Sequence, residues 1–197
     1  MSETATNYAR YLDLWRSVKR EGVEEVIKFI EKSDMATAPA STRFHSNYEG
    51  GLLEHSLNVY DCLKMKKDND GIFKEYLKNV SDDSLIIVAL AHDFCKLYFY
   101  KEGTRNVKNE ETGKWEKVPT YTIDDKYPLG HGSKSVIFLQ MFMKLTMEEI
   151  TAITWHMGFS VPKEEYSSVG AAFDKYPLAL ALHEADSEAT HLLEKVV

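Results

Sequence analysis

Seven consecutive apolar residues, Leu85 to Ala91, run without a break into the dipeptide His92-Asp93, and no other stretch constrains the fold as strongly. A helix with no polar stripe has no side to offer water, so it must sit centrally with other elements packed around it. The run is far shorter than the roughly 20 residues a helix needs to cross a bilayer. The sequence therefore predicts a buried helix over about 83–97, N-capped by Asp82 or Asp83, with Ile86, Ile87, Leu90 and Phe94 facing the core.

Elsewhere apolar residues recur at three- and four-residue steps, which is the signature of amphipathic helices. Tyr8, Tyr11, Leu12, Trp15 and Val18 mark one, and Val23, Val26, Ile27 and Ile30 mark another. An Ala/Pro/Ser/Thr-rich stretch at 36–43 follows, then a helix over about 52–66 ending in a polar Lys/Asp/Asn/Gly cluster. Further helices are expected at about 133–144, 146–156 and 177–193, the last with Pro177 in its first turn. The stretch 98–123 breaks the helical period: β-branched and aromatic residues flank the turn Glu111-Thr112-Gly113-Lys114, which predicts a β-hairpin insertion. The fold class expected is mainly α, a single helical bundle carrying that hairpin.

Charge and cysteine content narrow the function classes. The 31 acidic and 24 basic residues leave a formal charge of -7, which disfavours non-specific duplex binding by bulk charge. Nucleic acid remains possible as a partner but is not favoured. Cys62 and Cys95 form no C-x-x-C pair and no disulfide framework, which fits a reducing compartment. The N-terminal Met1-Ser2-Glu3-Thr4-Ala5-Thr6 has neither a basic nor an apolar leader region, so a soluble, cytoplasmic protein is expected.

The seven histidines are the chemically informative feature. His55 follows Gly50-Gly51-Leu52-Leu53-Glu54, His131 lies within Gly130-His131-Gly132, and His156 closes Ile153-Thr154-Trp155. Asp186 lies on an otherwise apolar helical stretch beyond His183. An isolated His-Asp pair reads as a helix-end histidine beside a solvated carboxylate. Four separate helices offering imidazole or carboxylate from apolar faces read differently, because a buried carboxylate is costly unless it is paired or bound to a cation. A shared metal would satisfy them together.

The ordered set of a first histidine, an adjacent His-Asp pair and a late aspartate resembles the HD-domain superfamily of metal-dependent phosphohydrolases, over most of the chain from about residue 45 to 190. The resemblance implies His55, His92, Asp93 and Asp186 as ligands of one divalent ion. It implies His131 and His156 as ligands of a second ion, by similarity to binuclear members. It also implies an HD core over 44–195 within a single domain spanning 1–197, with 1–43 as a helical extension. The segment from His45 to His55 is similar to the HD domains of bacterial 3′-to-5′ exoribonucleases and of some mobile-element proteins. One departure is Cys95, where the His-Asp-x-Gly-Lys pattern has a glycine.

Imidazole and carboxylate donors without thiolate suit Mn, Fe, Ni, Co, Zn or Mg and do not choose among them. The implied reaction is hydrolysis of a phosphate ester by metal-activated water, on a small phosphorylated substrate of nucleotide or nucleotide-like character. A phosphodiesterase or single-strand exonuclease is the alternative, and a non-catalytic metal-binding sensing module a further one. Asp93 and Lys96 are the catalytic candidates. Lys96, four residues beyond His92, is placed on the same helix face and is weighed evenly against a solvated lysine. Lys134 and His45 are weaker substrate-contact candidates, read first as a surface charge and a turn cap. Glu54 is open between a general base and a surface charge. His183 is open between a ligand and a hydrogen-bonding support, and His191 is read as a surface residue. Tyr98, Phe99, Tyr100 and Trp115 are open between base stacking and strand packing, and Cys95 is read as a small buried filler. The sequence leaves oligomeric state open.

Overall fold

The computed structural model describes residues 3–42, 46–69 and 71–194. It is mainly helical with one antiparallel hairpin, as the apolar periodicity predicts. Helix α5 (Asp82–Ala91) is buried from Leu85 to Ala91 and packs against α1 (Glu3–Ser17), α3 (Gly51–Asn69) and α7 (Met147–Trp155). Helix α9 (Pro177–Glu188) closes the bundle over α3 and α7, and α6 (His131–Gln140) lies against α7. Each large aliphatic side chain removed from water in this core contributes about 1.5–3 kcal/mol before entropy is counted.

Helix α1 lies against the bundle. Tyr11 and Trp15 are fully buried; the Tyr11 hydroxyl donates to the Leu90 carbonyl at 2.7 Å, and the Trp15 ring lies 6.1 Å from that of Phe94. Helix α2 (Val23–Lys32) buries the stripe Val26, Ile27 and Ile30.

The bounds of α5 differ from expectation at both ends. Its cap is Ser81, whose extended backbone lets the hydroxyl accept from the Ser84 N–H at 3.0 Å. Asp82 and Asp83 instead occupy the first turn, where carboxylates complement the helix dipole. The helix stops at Ala91 rather than near 97. Asp93 leaves helical geometry at φ −105° and ψ 20°, and Phe94–Lys96 form a separate 3-10 turn. Helix α7 starts as expected, with Thr146 and Glu149 forming a reciprocal capping box.

The hairpin pairs β1 (Tyr100–Lys108) with β2 (Trp115–Ile123), in register from Tyr100 opposite Ile123 to Lys108 opposite Trp115. Its turn is closed by the Asn109 side chain, which accepts from the Glu111 and Thr112 N–H groups. Two helices were not expected. Helix α4 (Gly71–Tyr76) follows the polar cluster read as an end, and α8 (Tyr166–Lys175) has only Val169 and Ala172 fully buried, too sparse a stripe to show in the sequence. The last helix also changes character, because Ala189–Leu193 form a π-helical turn closed by the Glu194 N–H on the Ala189 carbonyl at 3.1 Å.

Candidate metal centre

Five helices deliver the site. His55 projects from α3, His92 caps the end of α5, His131 opens α6, His156 caps the end of α7, and Asp186 lies on α9. Asp93 follows directly on His92. His55, His92, Asp93 and His156 are buried, whereas the His131 side chain is 37% and the Asp186 side chain 18% exposed, so the cluster opens on one side.

Three imidazoles are locked in the same sense. His92 Nδ1 lies 2.8 Å from the Ala89 carbonyl, and His156 Nδ1 lies 2.7 Å from the Ile153 carbonyl. A carbonyl only accepts, so each Nδ1 carries the proton. His55 Nδ1 likewise donates to Glu194 Oε1 at 2.9 Å. All three therefore turn Nε2 toward a common centre, the arrangement in which an outer hydrogen bond fixes the ring of a metal-ligating histidine. The His156 Nε2 is buried with no hydrogen-bond partner among the described residues.

The spacing of the donor atoms fits shared coordination. His55 Nε2 lies 3.1 Å from His92 Nε2, 3.3 Å from Asp186 Oδ1 and 3.5 Å from Asp93 Oδ2, and His92 Nε2 lies 3.4 Å from Asp93 Oδ2. Ligands held about 2.0–2.1 Å from one ion stand roughly 3–3.5 Å from each other. Asp93 divides its oxygens. Oδ2 faces His55 and His92, while Oδ1 lies 2.8 Å from His131 Nε2 and 3.7 Å from His156 Nε2. Three overlapping triads result: His55/His92/Asp93, His92/His156/Asp186 and Asp93/His131/His156. Helices α5 and α7 also end here, and the partial negative charge at their C-termini favours a cation.

Electrostatics follow from the same contacts. Burial alone would push the Asp93 carboxyl up, but Lys96 and the surrounding imidazoles hold it well below the usual carboxylate range. Burial opposes protonation of His55, yet Asp186 and Glu194 push its pKa up to about 10. Asp186 is held down by His55 against its own burial. His92 is shifted downward by burial.

The remaining candidates fall as follows. Lys96 reaches the site from the 3-10 turn rather than from the helix face of His92, because α5 has already ended; its Nζ is 2.7 Å from Asp93 Oδ2. Lys134 is buried rather than a surface charge. It pairs with Asp125 at 2.5 Å and lies 4.7 Å from the Phe99 ring centroid. Cys95 is buried beside His131, its Sγ 3.3 Å from Nδ1, and burial pushes its thiol pKa up. His183 supports the site through Nδ1, which donates to the His156 carbonyl at 2.7 Å. Glu54 accepts from the Tyr48 hydroxyl at 2.8 Å. Tyr98 donates its hydroxyl to the Lys32 carbonyl, and Trp115 lies exposed at the far end of the hairpin. His45 lies outside the described residues.

A cavity of about 480 Å³ leads to the cluster, walled by Asp93, Lys96, Tyr100, His131 and Asp186 with Thr190 at its side. Exposed His191 also borders it. A larger depression of about 760 Å³ beside Arg20 and residues 140–146 contains none of the three triads. Sequence reasoning missed Glu194, which accepts from the outer nitrogen of His55, and Ser46 and Asn58, which donate to that carboxylate. No local pattern marks them, since Glu194 is 139 positions from its partner.

No helix among the described residues is long and apolar enough to cross a membrane. No family model matches the chain, and no solved structure does so. Among curated proteins it is similar to the dihydroneopterin 2′,3′-cyclic phosphate phosphodiesterase of Methanocaldococcus jannaschii, with 44% identity over 88 residues. That match covers 44% of this chain and 31% of the relative, so the chain spans under a third of that protein's length.

Proposed function

We propose that this chain is an HD-type, metal-dependent phosphoesterase that hydrolyses a small phosphorylated molecule, with a cyclic phosphodiester of nucleotide-like character as the substrate class. The observation carrying the reading is the convergence of three histidine Nε2 atoms, each with Nδ1 already committed, around the divided oxygens of Asp93. The likeness to a cyclic-phosphate phosphodiesterase supports a diester over a monoester. In this reading 44–195 is the HD unit and 1–43 the extension that α1 packs onto it. A cytoplasmic setting agrees with the free thiols of Cys62 and Cys95.

His55, His92, Asp93 and Asp186 would hold one divalent ion of the Mn, Fe, Ni, Co, Zn or Mg group, and His131 and His156 a second that shares Asp93. Such an ion, when bound, lowers the pKa of water and polarises the phosphoryl group. The chain supplies the rest. Asp93, kept ionised by Lys96, orients the donor set, and the Lys96 ammonium on the cavity wall offsets charge on phosphate oxygens. Water adds to phosphorus, one P–O ester bond breaks, and the departing oxygen takes a proton, leaving a phosphomonoester.

Cavity size favours a small molecule over a strand. At about 480 Å³ it is of ligand size, and Lys96 is the one lysine or arginine among its described lining residues.

The test is metal analysis together with a substrate panel of a nucleoside 2′,3′-cyclic phosphate, a nucleoside monophosphate and a short oligonucleotide. Stoichiometric divalent metal and chelator-sensitive opening of the cyclic phosphate are expected, with His92→Ala and Asp93→Ala losing both while retaining helical circular dichroism. Oligonucleotide degradation would favour the nuclease, and metal without turnover would favour a sensing module. Absence of metal uptake would overturn the assignment.

A further inference from the structure

The segment beyond α9 enters the site from outside the residues read as ligands. The Ala189–Leu193 π-helical turn brings in Glu194, whose side chain is fully buried. Its Oε1 accepts from His55 Nδ1 at 2.9 Å and from Asn58 Nδ2 at 3.3 Å, and its Oε2 accepts from the Ser46 hydroxyl at 2.8 Å. Ser46 is itself held in an unusual backbone conformation at φ 46°. The next helix allows this by presenting Gly51, where a Cβ would lie 2.0 Å from the Ser46 carbonyl oxygen. That carbonyl in turn accepts from the Ala40 N–H at 2.9 Å.

A non-glycine residue at positive φ persists only where its surroundings over-determine it. Here the strained serine, admitted by the glycine, and Asn58 hold a buried carboxylate that bonds one ring nitrogen of one histidine. His92 and His156 obtain the same orientation from carbonyls of their own helices. His55 sits within α3 rather than at its end, where the carbonyls of the preceding turn are already engaged in the helix, so its Nδ1 needs a partner from elsewhere.

We propose that Glu194 is a positioning residue, held by Ser46 and Asn58, that fixes the His55 ring with Nε2 toward the metal centre and raises its strength as a donor. The inference rests on the proposed metal-dependent function for its ligand, but its readouts do not require turnover. A buried carboxylate behind a ligating imidazole is worth about 10–100-fold in metal affinity.

The experiment titrates full-length wild type, Glu194→Ala and Glu194→Gln with Co²⁺ alone, followed by visible absorption. In parallel, NMR of the metal-free proteins follows the His55 Nδ1–H proton. Wild type is expected to show that proton at low field in slow exchange. Glu194→Ala should lose it and bind Co²⁺ about 10–100-fold more weakly with helical circular dichroism intact. Glu194→Gln keeps an acceptor without the charge, so it should retain the proton resonance and lose several-fold in affinity. Wild-type affinity in a folded Glu194→Ala, or a His55 Nδ1–H signal unchanged in it, overturns the proposal. If Glu194→Ala does not fold, undiminished affinity in Glu194→Gln overturns it. If wild type binds no Co²⁺ the proposed function falls, and the His55 resonance alone then decides whether Glu194 holds the ring.

Discussion

Gly132 sits one residue beyond His131 at the start of α6, where that helix meets α7. A Cβ at this position would lie 2.3 Å from the Thr154 carbonyl oxygen and 2.5 Å from that of Ile153. Comfortable contact begins near 3.5 Å, so Gly132→Ala requires the helices to part by roughly 1 Å. The obstacle is backbone, and the Ile153 carbonyl is additionally held by His156 Nδ1 at 2.7 Å, so neither oxygen swings aside easily. Overpacking of this kind costs about 1–3 kcal/mol. At about 2–4 °C per kcal/mol for a chain of this size, the thermal midpoint should fall by about 2–12 °C. The displacement also draws His131 Nε2 away from Asp93 Oδ1, now 2.8 Å distant, and a 1 Å error in a positioned group costs up to about 10²-fold in rate. Thermal unfolding by circular dichroism, metal stoichiometry and initial rates on one preparation would measure all three. A variant with unchanged midpoint and unchanged metal content would refute the close approach of α6 and α7 and the role given to His131.

Three further perturbations separate structure from chemistry. Tyr11→Phe removes the buried hydroxyl bond to the Leu90 carbonyl and should cost about 1 kcal/mol in urea denaturation without altering metal uptake. Burial would push the Glu149 carboxyl up, but the Arg20 guanidinium at 2.9 Å, the Thr146 N–H and the Ser84 hydroxyl outweigh it and hold the pKa below normal. The stability this pairing gives is therefore present above the unfolded pKa of about 4.3 and lost as pH falls through the lower folded value. Glu149→Gln should flatten that part of the acid-denaturation curve, and an unaltered curve would refute the assignment. Lys96→Met removes the ammonium paired with Asp93 as well as the charge facing phosphate, so cation affinity should weaken and turnover at saturating metal should fall by about 10²–10³-fold; undiminished turnover at saturating metal would remove Lys96 from the phosphate.

Much of the fold was readable because apolar spacing is a local signal: the unbroken run before His92 marks the central helix, and the break at 98–123 marks the hairpin. Helix ends were less legible. Ser81 and Asp82 are both good caps by composition, and only the extended backbone at Ser81 decides between them. Nothing in Phe94-Cys95-Lys96 shows that the helix has already stopped, so helical spacing places Lys96 on the face of His92. The six ligand candidates do gather: four are carried inward by buried apolar stretches, Asp186 by the buried face of α9, and His131, on an exposed helix start, is brought in by the packing of α6 on α7. Lys134 reads as a surface charge because its partner Asp125 lies in a loop that has no period, and Glu194 was invisible for a similar reason.

The two cap histidines have one more consequence. Because His92 and His156 each bond a carbonyl three residues back on the same helix, the protonation pattern of their rings comes from the main chain itself and survives any substitution that spares the helix. His55 has no such inheritance. It depends on a carboxylate 139 positions away along the chain, so the centre is assembled in full only after the π-helical turn at Ala189–Leu193 has docked.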